Sequence, residues 1–255
     1  MSKIHFNIEG QVAEIRLDNE AKLNALTSSM LHQLDSCCSE AERDRKIKII
    51  LLTAEGERAF CTGADIECWS RMSPKEFSRD WVRRGHRVFD RLARISKPTI
   101  AVINGHALGG GLELAATCDI RVMSPSATLG LPETGIGVVP GWSGTQRLAR
   151  LLPEPVLKEL ALFGRRLSAE RALRLGFVAE VSENPYASAL EIARRAIELS
   201  PSATEIVKCM LHAGSNEDRA ALIEALGGGM VASTQDNAEG TTAFRQKRKP
   251  RFSGY

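Results

Sequence analysis

Two glutamates of this chain stand among glycines and apolar residues. Glu113 lies in Ala107-Leu108-Gly109-Gly110-Gly111-Leu112-Glu113-Leu114, and Glu133 in Leu131-Pro132-Glu133-Thr134-Gly135-Ile136-Gly137. Such surroundings can raise a carboxyl pKa toward neutrality, which suits proton transfer. Three consecutive glycines before a short apolar helix let a ligand approach the backbone closely. N–H groups exposed at that helix start can then bind developing negative charge. Two carboxyls beside an anion-binding backbone suit proton movement next to a carbonyl, and the chain reads as an enzyme.

The elements that must hold these residues are legible in outline. Ile4, Phe6 and Ile8 alternate before Gly10-Gln11, and Ala13, Ile15 and Leu17 after it, which predicts a hairpin. Met30, Leu31, Leu34, Cys38 and Ala41 keep helical spacing within 27–45. The nearly unbroken apolar run 47–54 predicts a strand buried on both faces, and 99–104 and 119–123 predict two more. Ser73-Pro74-Lys75-Glu76 joins an N-cap serine, a proline at the first helical position and a capping-box glutamate. A helix is expected from there to about Arg94. The triple glycine opens onto a short helix at 112–117. This repetition argues for an α/β core. From Gly144 onward the chain is expected to be helical, punctuated by prolines and glycines and ending in Lys247-Arg248-Lys249.

The 255 residues suffice for one large domain, or for a domain with an appendage. A hydrophobic content of 43% and a charged content of 25% are ordinary for a soluble protein. No run of about 18 apolar residues suggests a membrane span. The start, Met1-Ser2-Lys3-Ile4-His5-Phe6, has neither a signal-peptide core nor transit-peptide character, so a cytoplasmic location is expected. A net charge of +3 is too mild to imply nucleic acid, while an excess of Lys and Arg suits a phosphate-bearing small molecule. The six cysteines show no CxxC pair and the five histidines are scattered, so no metal site is expected.

Several pieces together carry a family resemblance: Asn24-Ala25-Leu26, Phe60-Cys61-Thr62-Gly63-Ala64-Asp65-Ile66, the stretch from Ile103 to Glu113, Cys118-Asp119-Ile120 and Pro132-Glu133. Pro140-Gly141 with Gly144-Thr145-Gln146-Arg147-Leu148, and Phe244 with Lys247-Arg248-Lys249-Pro250, complete the set. In this order and at these separations the chain resembles the crotonase family, the enoyl-CoA hydratases and isomerases, over essentially its whole length. The resemblance implies an α/β crotonase fold: a spiral of repeated ββα units over 1–190 and a C-terminal helical oligomerisation region over 191–255.

It also implies roles. The backbone N–H groups of Ala64 and Gly110 match the oxyanion hole for a thioester oxygen. Glu113 matches the group that activates water for addition at the β-carbon, and Glu133 the one that delivers a proton to the α-carbon. Gly141 matches a glycine whose backbone helps hold the water. Isomerases of the family usually keep one carboxylate, so two favour hydration of a trans-2-enoyl-CoA, in fatty-acid or related acyl-CoA degradation, over Δ3,Δ2 double-bond migration. Specialisation for a branched or aromatic acyl group is the alternative. Coenzyme A belongs to the substrate, and no other cofactor is implied. Thr62, Ala64, Asp65, Ile66 and Gly110 match its contacts. The basic residue that the family often carries before Asn-Ala-Leu is represented by Lys22, beside Leu23. Phe244 and Lys247 match positions that reach the coenzyme of an adjoining subunit, which implies a homotrimer or a dimer of trimers.

Other features carry weaker signals. Trp142-Ser143 stands where ordinary short-chain hydratases have small residues. Trp142 either shapes the acyl pocket or packs under the following helix. Gly141-Trp142-Ser143-Gly144 is one residue short of a nucleophile elbow, and Ser143 reads as a loop hydroxyl. His106 reads as structural, and Gly135-Ile136-Gly137 lacks the frame of a dinucleotide site. Arg79, Arg83, Arg87 and Arg91 recur at i, i+4 and read as a solvated face paired with Asp80 and Asp90. An RNA-binding homologue would use that stripe, but no interleaved aromatic surface accompanies it.

Overall fold

The computed structural model describes residues 2–215 and 219–254. The first apolar alternations form the expected hairpin. β1 (Lys3–Glu9) pairs antiparallel with β2 (Val12–Asp18), and Gly10 turns the chain at φ +59°. Next come β3 (Ile49–Ala54), β4 (Ala59–Cys61), β5 (Thr99–Ile103), β6 (His106–Leu108), β7 (Ile120–Met123), β8 (Thr128–Gly130), β9 (Leu167–Ser168) and β10 (Glu180–Val181). They build two sheets, ordered β1-β2-β3-β5-β7-β10 and β4-β6-β8-β9. The chain therefore passes alternately between sheets: β3 to β4, β5 to β6, β7 to β8. Each repeat contributes one strand to each sheet, with parallel neighbours.

The unbroken apolar runs follow from burial on both faces. Ile50, Leu52, Ala101 and Ile103 point into the main core with Leu31, Leu34 and Phe89. Their alternates, Ile49, Leu51, Ile100 and Val102, are covered on the other face by Ala189 and Ala193.

The helices of the first half are α1 (Ser28–Arg43), α2 (Pro74–Glu76), α3 (Arg83–Arg94) and α4 (Gly110–Ala115). Those of the second are α5 (Gly144–Leu151), α6 (Glu154–Phe163), α7 (Ala169–Arg174), α8 (Pro185–Ile197), α9 (Pro201–Gly214), α10 (Arg219–Ala232) and α11 (Gln235–Arg245). Thr27 caps α1, and the Ser73–Glu76 capping box starts α2 as expected. The helix expected to run on to Arg94 is not uniform. A π-helical segment, Phe77–Val82, separates α2 from α3 and turns Trp81 into the core.

The arginine pairing also differs from the sequence expectation. Arg91 reaches Asp35 on α1 at 2.9 Å, and Asp90 takes Arg147 from α5 at 2.7 Å as well as Arg94 at 3.8 Å. Arg94 is the i, i+4 neighbour that helical spacing predicts for Asp90, whereas Asp35 and Arg147 are distant in sequence and leave no such trace.

Contacts divide the chain into Met1–Thr204 and Glu205–Tyr255. α8 packs on β3, β5 and β7, so the first unit continues past the expected boundary at 190. The second unit is helical. Ile223, Leu226, Met230 and Val231 stand exposed on α10, and Arg248 reaches back to Glu239 of α11 at 2.6 Å. Among the described residues, no helix is long and apolar enough to cross a membrane.

Candidate active site

Three glycines bring the site together, each for its own reason. Gly109 has φ +53° and ψ −126°, a conformation closed to residues with a β-carbon, and a Cβ there would also stand 2.9 Å from Glu133 Oε1. A Cβ on Gly110 would lie 2.9 Å from the six-membered ring of Trp142. One on Gly111 would strike the Cys61 carbonyl. The triple glycine thus lets α4 start against β4 and beneath both catalytic candidates.

Ala64 and Gly110, the residues of the two expected anion-binding N–H groups, border the same cavity. Gly110 opens α4, so its N–H has no acceptor within the helix. A Cβ on Gly63, the residue before Ala64, would stand 3.0 Å from Gly110 N. Ala64 is bridged to Leu26, and the bridge uses the Leu26 N–H to Gly63 O at 2.7 Å and the Asp65 N–H to Leu26 O at 2.9 Å. That pattern leaves the Ala64 N–H outside the bridge.

Glu113 and Glu133 come from different turns of the fold and meet in one cavity of about 290 Å³. Glu113 projects from α4 and is 2% exposed. Its Oε1 accepts the N–H groups of Trp142 at 2.8 Å and Gly144 at 2.6 Å. Burial pushes its carboxyl upward, while those N–H groups, Arg147 and Gly141 oppose the rise. Glu133 begins a short 3₁₀ turn, Glu133–Ile136, where burial and the nearby Glu113 charge raise its carboxyl and its own backbone N–H opposes them. Its pKa is pushed up to about 7, chiefly by burial. Glu133 Oε2 is buried without a hydrogen-bond partner among the described residues. The two carboxyls therefore differ in kind. One is held by backbone donors that favour its charge; the other is poised to carry a proton near neutrality.

The coenzyme-side candidates form a stitched loop pair. Leu23 and Asn24 adopt left-handed conformations at φ 52° and 57°. Asn24 donates to the carbonyls of Glu55 and Ala59, and the Thr62 N–H donates to Leu23 O at 3.2 Å. Asp65 caps the turn at Ile66, and Lys22 Nζ contacts Asp65 at 2.9 Å and Glu67 at 2.5 Å. Thr62, Ala64, Ile66, Gly110 and Gly141 all border the cavity with the two glutamates. Phe244 and Lys247 belong to the second unit, where Phe244 is exposed and Lys247 is left-handed.

The aromatic lining of the cavity was mostly not foreseen from the sequence. The chain has three tryptophans, Trp69, Trp81 and Trp142, and all three line this cavity along with Phe77. That concentration in a chain with 5% aromatic residues was an available signal. Trp142 stacks obliquely on Trp81 and Phe89, with centroids 5.4 and 5.1 Å away. Its ring fits between Gly85 of α3 and Gly110 of α4. Trp142 is buried and borders the cavity, but its ring partners lie on the π-helical segment and α3, ahead of it in the chain, and not on the following helix. A larger cavity of about 830 Å³, bordered by Arg16, Glu55, Asn104 and Glu183, shares none of these groups. His106 is structural, as expected: its Nδ1 accepts the Thr128 N–H at 3.1 Å.

Comparison with known proteins agrees with this geometry. Residues 7–255 match the family model described as enoyl-CoA hydratase/isomerase. A short-chain-enoyl-CoA hydratase of Clostridium acetobutylicum is 39% identical over 245 residues, 94% of each chain. The crotonyl-CoA hydratase of Syntrophomonas wolfei is 35% identical over 96% of this chain and 95% of its own. The crystal structure of an enoyl-CoA hydratase from Bacillus anthracis superimposes with a TM-score of 0.81 at 33% identity, covering 99% of both chains. With two sheets threaded alternately, paired glutamates and a glycine-lined helix start, the chain belongs to the enoyl-CoA hydratase/isomerase family.

Proposed function

We propose that this protein is an enoyl-CoA hydratase, a hydro-lyase, and that Glu113 and Glu133 divide its proton transfers. The observation that supports the division is their contrast in hydrogen bonding. Glu113 has two backbone N–H donors on one oxygen, while Glu133 keeps an unpartnered oxygen and a pKa near 7. Glu113, as carboxylate, takes a proton from water as its oxygen bonds to the β-carbon of a trans-2-enoyl thioester. Charge moves onto the thioester oxygen, where the N–H groups of Ala64 and Gly110 receive it. One such donor is typically worth about 100- to 1000-fold in rate. Glu133 then gives its proton to the α-carbon, and the product is a 3-hydroxyacyl thioester. Gly141 borders the same space and suits support of the water.

Coenzyme A is part of the substrate and the chemistry calls for no resident cofactor. Thr62, Ala64, Asp65 and Ile66, with Lys22 and Leu23 beside them, suit the pantetheine and nucleotide. Lys22 would exchange its Glu67 contact for a phosphate. A trimer or a dimer of trimers, with Phe244 and Lys247 reaching a neighbour's coenzyme, fits the apolar residues exposed on α10. A cytoplasmic setting fits cysteines that are mostly buried as small hydrophobes, and fatty-acid or related acyl-CoA degradation fits the reaction.

The test is turnover of a panel of trans-2-enoyl thioesters by wild type, Glu113→Gln and Glu133→Gln. Each variant is expected to lose about 100-fold or more in kcat with acyl-CoA binding within several-fold. Full hydration by Glu113→Gln would overturn the division of roles. Double-bond migration without hydration would favour the isomerase reading.

A further inference from the structure

The loop that holds Glu113 contains a serine in an unfavourable conformation. Ser143 has φ +81° and ψ +16°, the left-handed region that a residue with a β-carbon enters at a cost. It sits between Trp142 and Gly144, whose N–H groups both donate to Glu113 Oε1. The peptides aimed at the carboxylate are therefore aimed by the turn at residue 143. Ser143 Oγ lies 2.8 Å from His86 Nδ1 on α3, and the other ring nitrogen, His86 Nε2, lies 3.4 Å from Asp90. Asp90 in turn takes Arg147 at 2.7 Å, and the Arg147 N–H donates to Ser143 O at 2.9 Å. A closed circuit results: α3 grips the turn through His86, and α5 returns to it through Arg147.

Serine, imidazole and carboxylate in a row suggest hydrolysis, but the placement argues otherwise. Ser143 is 6% exposed and does not border the cavity that holds the two glutamates. Its hydroxyl turns toward α3 instead. We infer that His86 is a positioning residue for Glu113: by holding the Ser143 hydroxyl it keeps the left-handed turn in place, and so keeps the Trp142 and Gly144 N–H groups on the general base. This inference rests on the hydratase reading and deepens it. Around His86 the charged groups are Asp90, with Arg94 and Arg147 on it, and the Arg84–His32 contact to α1 lies two residues away. Glu113 itself faces Glu133 and Arg147.

The experiment is a double-mutant cycle with pH profiles, on full-length protein and a four-carbon trans-2-enoyl-CoA. Wild-type turnover and its loss in Glu113→Gln establish the hydratase reading first; their absence overturns that reading and not this one. His86→Ala is then expected to lower kcat about tenfold with KM within threefold. The acid limb of its profile should move to higher pH, because loosened N–H donors no longer oppose the burial of Glu113. His86→Asn, which can place an amide near the position of Nδ1, should recover most of the loss. In the Ser143→Gly background the turn no longer needs an anchor, since glycine enters the left-handed region freely. There His86→Ala should cost less than twofold, whatever the rate of that background. Thermal melting of every variant checks folding. Equal losses in both backgrounds, or a lower Tm with kcat and acid limb unchanged, overturns the inference. Release of free thiol by wild type that disappears in Ser143→Ala would assign the circuit to hydrolysis instead, which also overturns it.

Discussion

The Gly144 N–H donates to Glu113 Oε1 at 2.6 Å, and a β-carbon on Gly144 would stand 2.6 Å from that same oxygen. The hydrogen bond and the lack of a side chain are one requirement. Gly144→Ala is therefore expected to displace the carboxylate by a fraction of an ångström or more and to lower kcat about 100-fold, with KM changed only several-fold. Steady-state kinetics on a short enoyl thioester measures this. A fully active variant would show that the position of Glu113 is not tightly specified.

Glu133 makes a stability prediction. Its carboxyl titrates at about 7 in the fold, against an ordinary value of 4.5, because burial disfavours the charge. The folded state therefore holds its proton more tightly than the unfolded chain does. Stability attached to this group is full below about pH 4.5 and falls as pH rises to 7, by up to about 3 kcal/mol at ~1.4 kcal/mol per unit. Glu133→Gln removes the penalty. It should melt several degrees above wild type at pH 8, with the gap closing toward pH 4.5. A constant gap across that range would assign the effect to something other than ionisation.

Trp142 should affect both stability and selectivity. Removing a buried indole that packs on Trp81 and Phe89 costs about 3–5 kcal/mol in comparable sites, so Trp142→Ala should melt lower. The opened wall should also shift kcat/KM toward bulkier acyl groups in a graded way, since a methylene is worth only about 1–3 kcal/mol. Comparing the ratio of kcat/KM for four-carbon and longer or aromatic thioesters reads this out. Lower melting with an unchanged ratio would mean that the ring serves packing alone.

Truncation after Glu239 tests assembly. It removes Phe244, Lys247 and the Arg248 that closes onto Glu239. Loss of the oligomer by light scattering, together with weaker coenzyme binding, is expected. A monomer that binds coenzyme A normally would refute a shared site.

Much of the scaffold was legible because burial writes itself into residue order. The alternation around Gly10-Gln11 gave the hairpin, and the two-faced strands gave the apolar runs at 49–54 and 99–103. The Ser73 capping box marked its helix start to the residue. The π-helical segment at 77–82 was not legible, since a slightly wider turn barely changes apolar spacing. Nor was the hold on Glu113, because peptide N–H groups belong to every residue but proline and sequence displays only side chains. His86 and Ser143 are 57 positions apart, and Asp90 and Arg147 likewise, so neither pair leaves a local trace.

Trp142 serves the carboxylate with its backbone and the cavity with its ring. These two duties draw on separate parts of one residue. Any amino acid except proline supplies the N–H, whereas each supplies a different wall. Substitution at position 142 by any residue but proline therefore leaves the donor to Glu113 in place while it changes the cavity wall, at the packing cost of a buried indole.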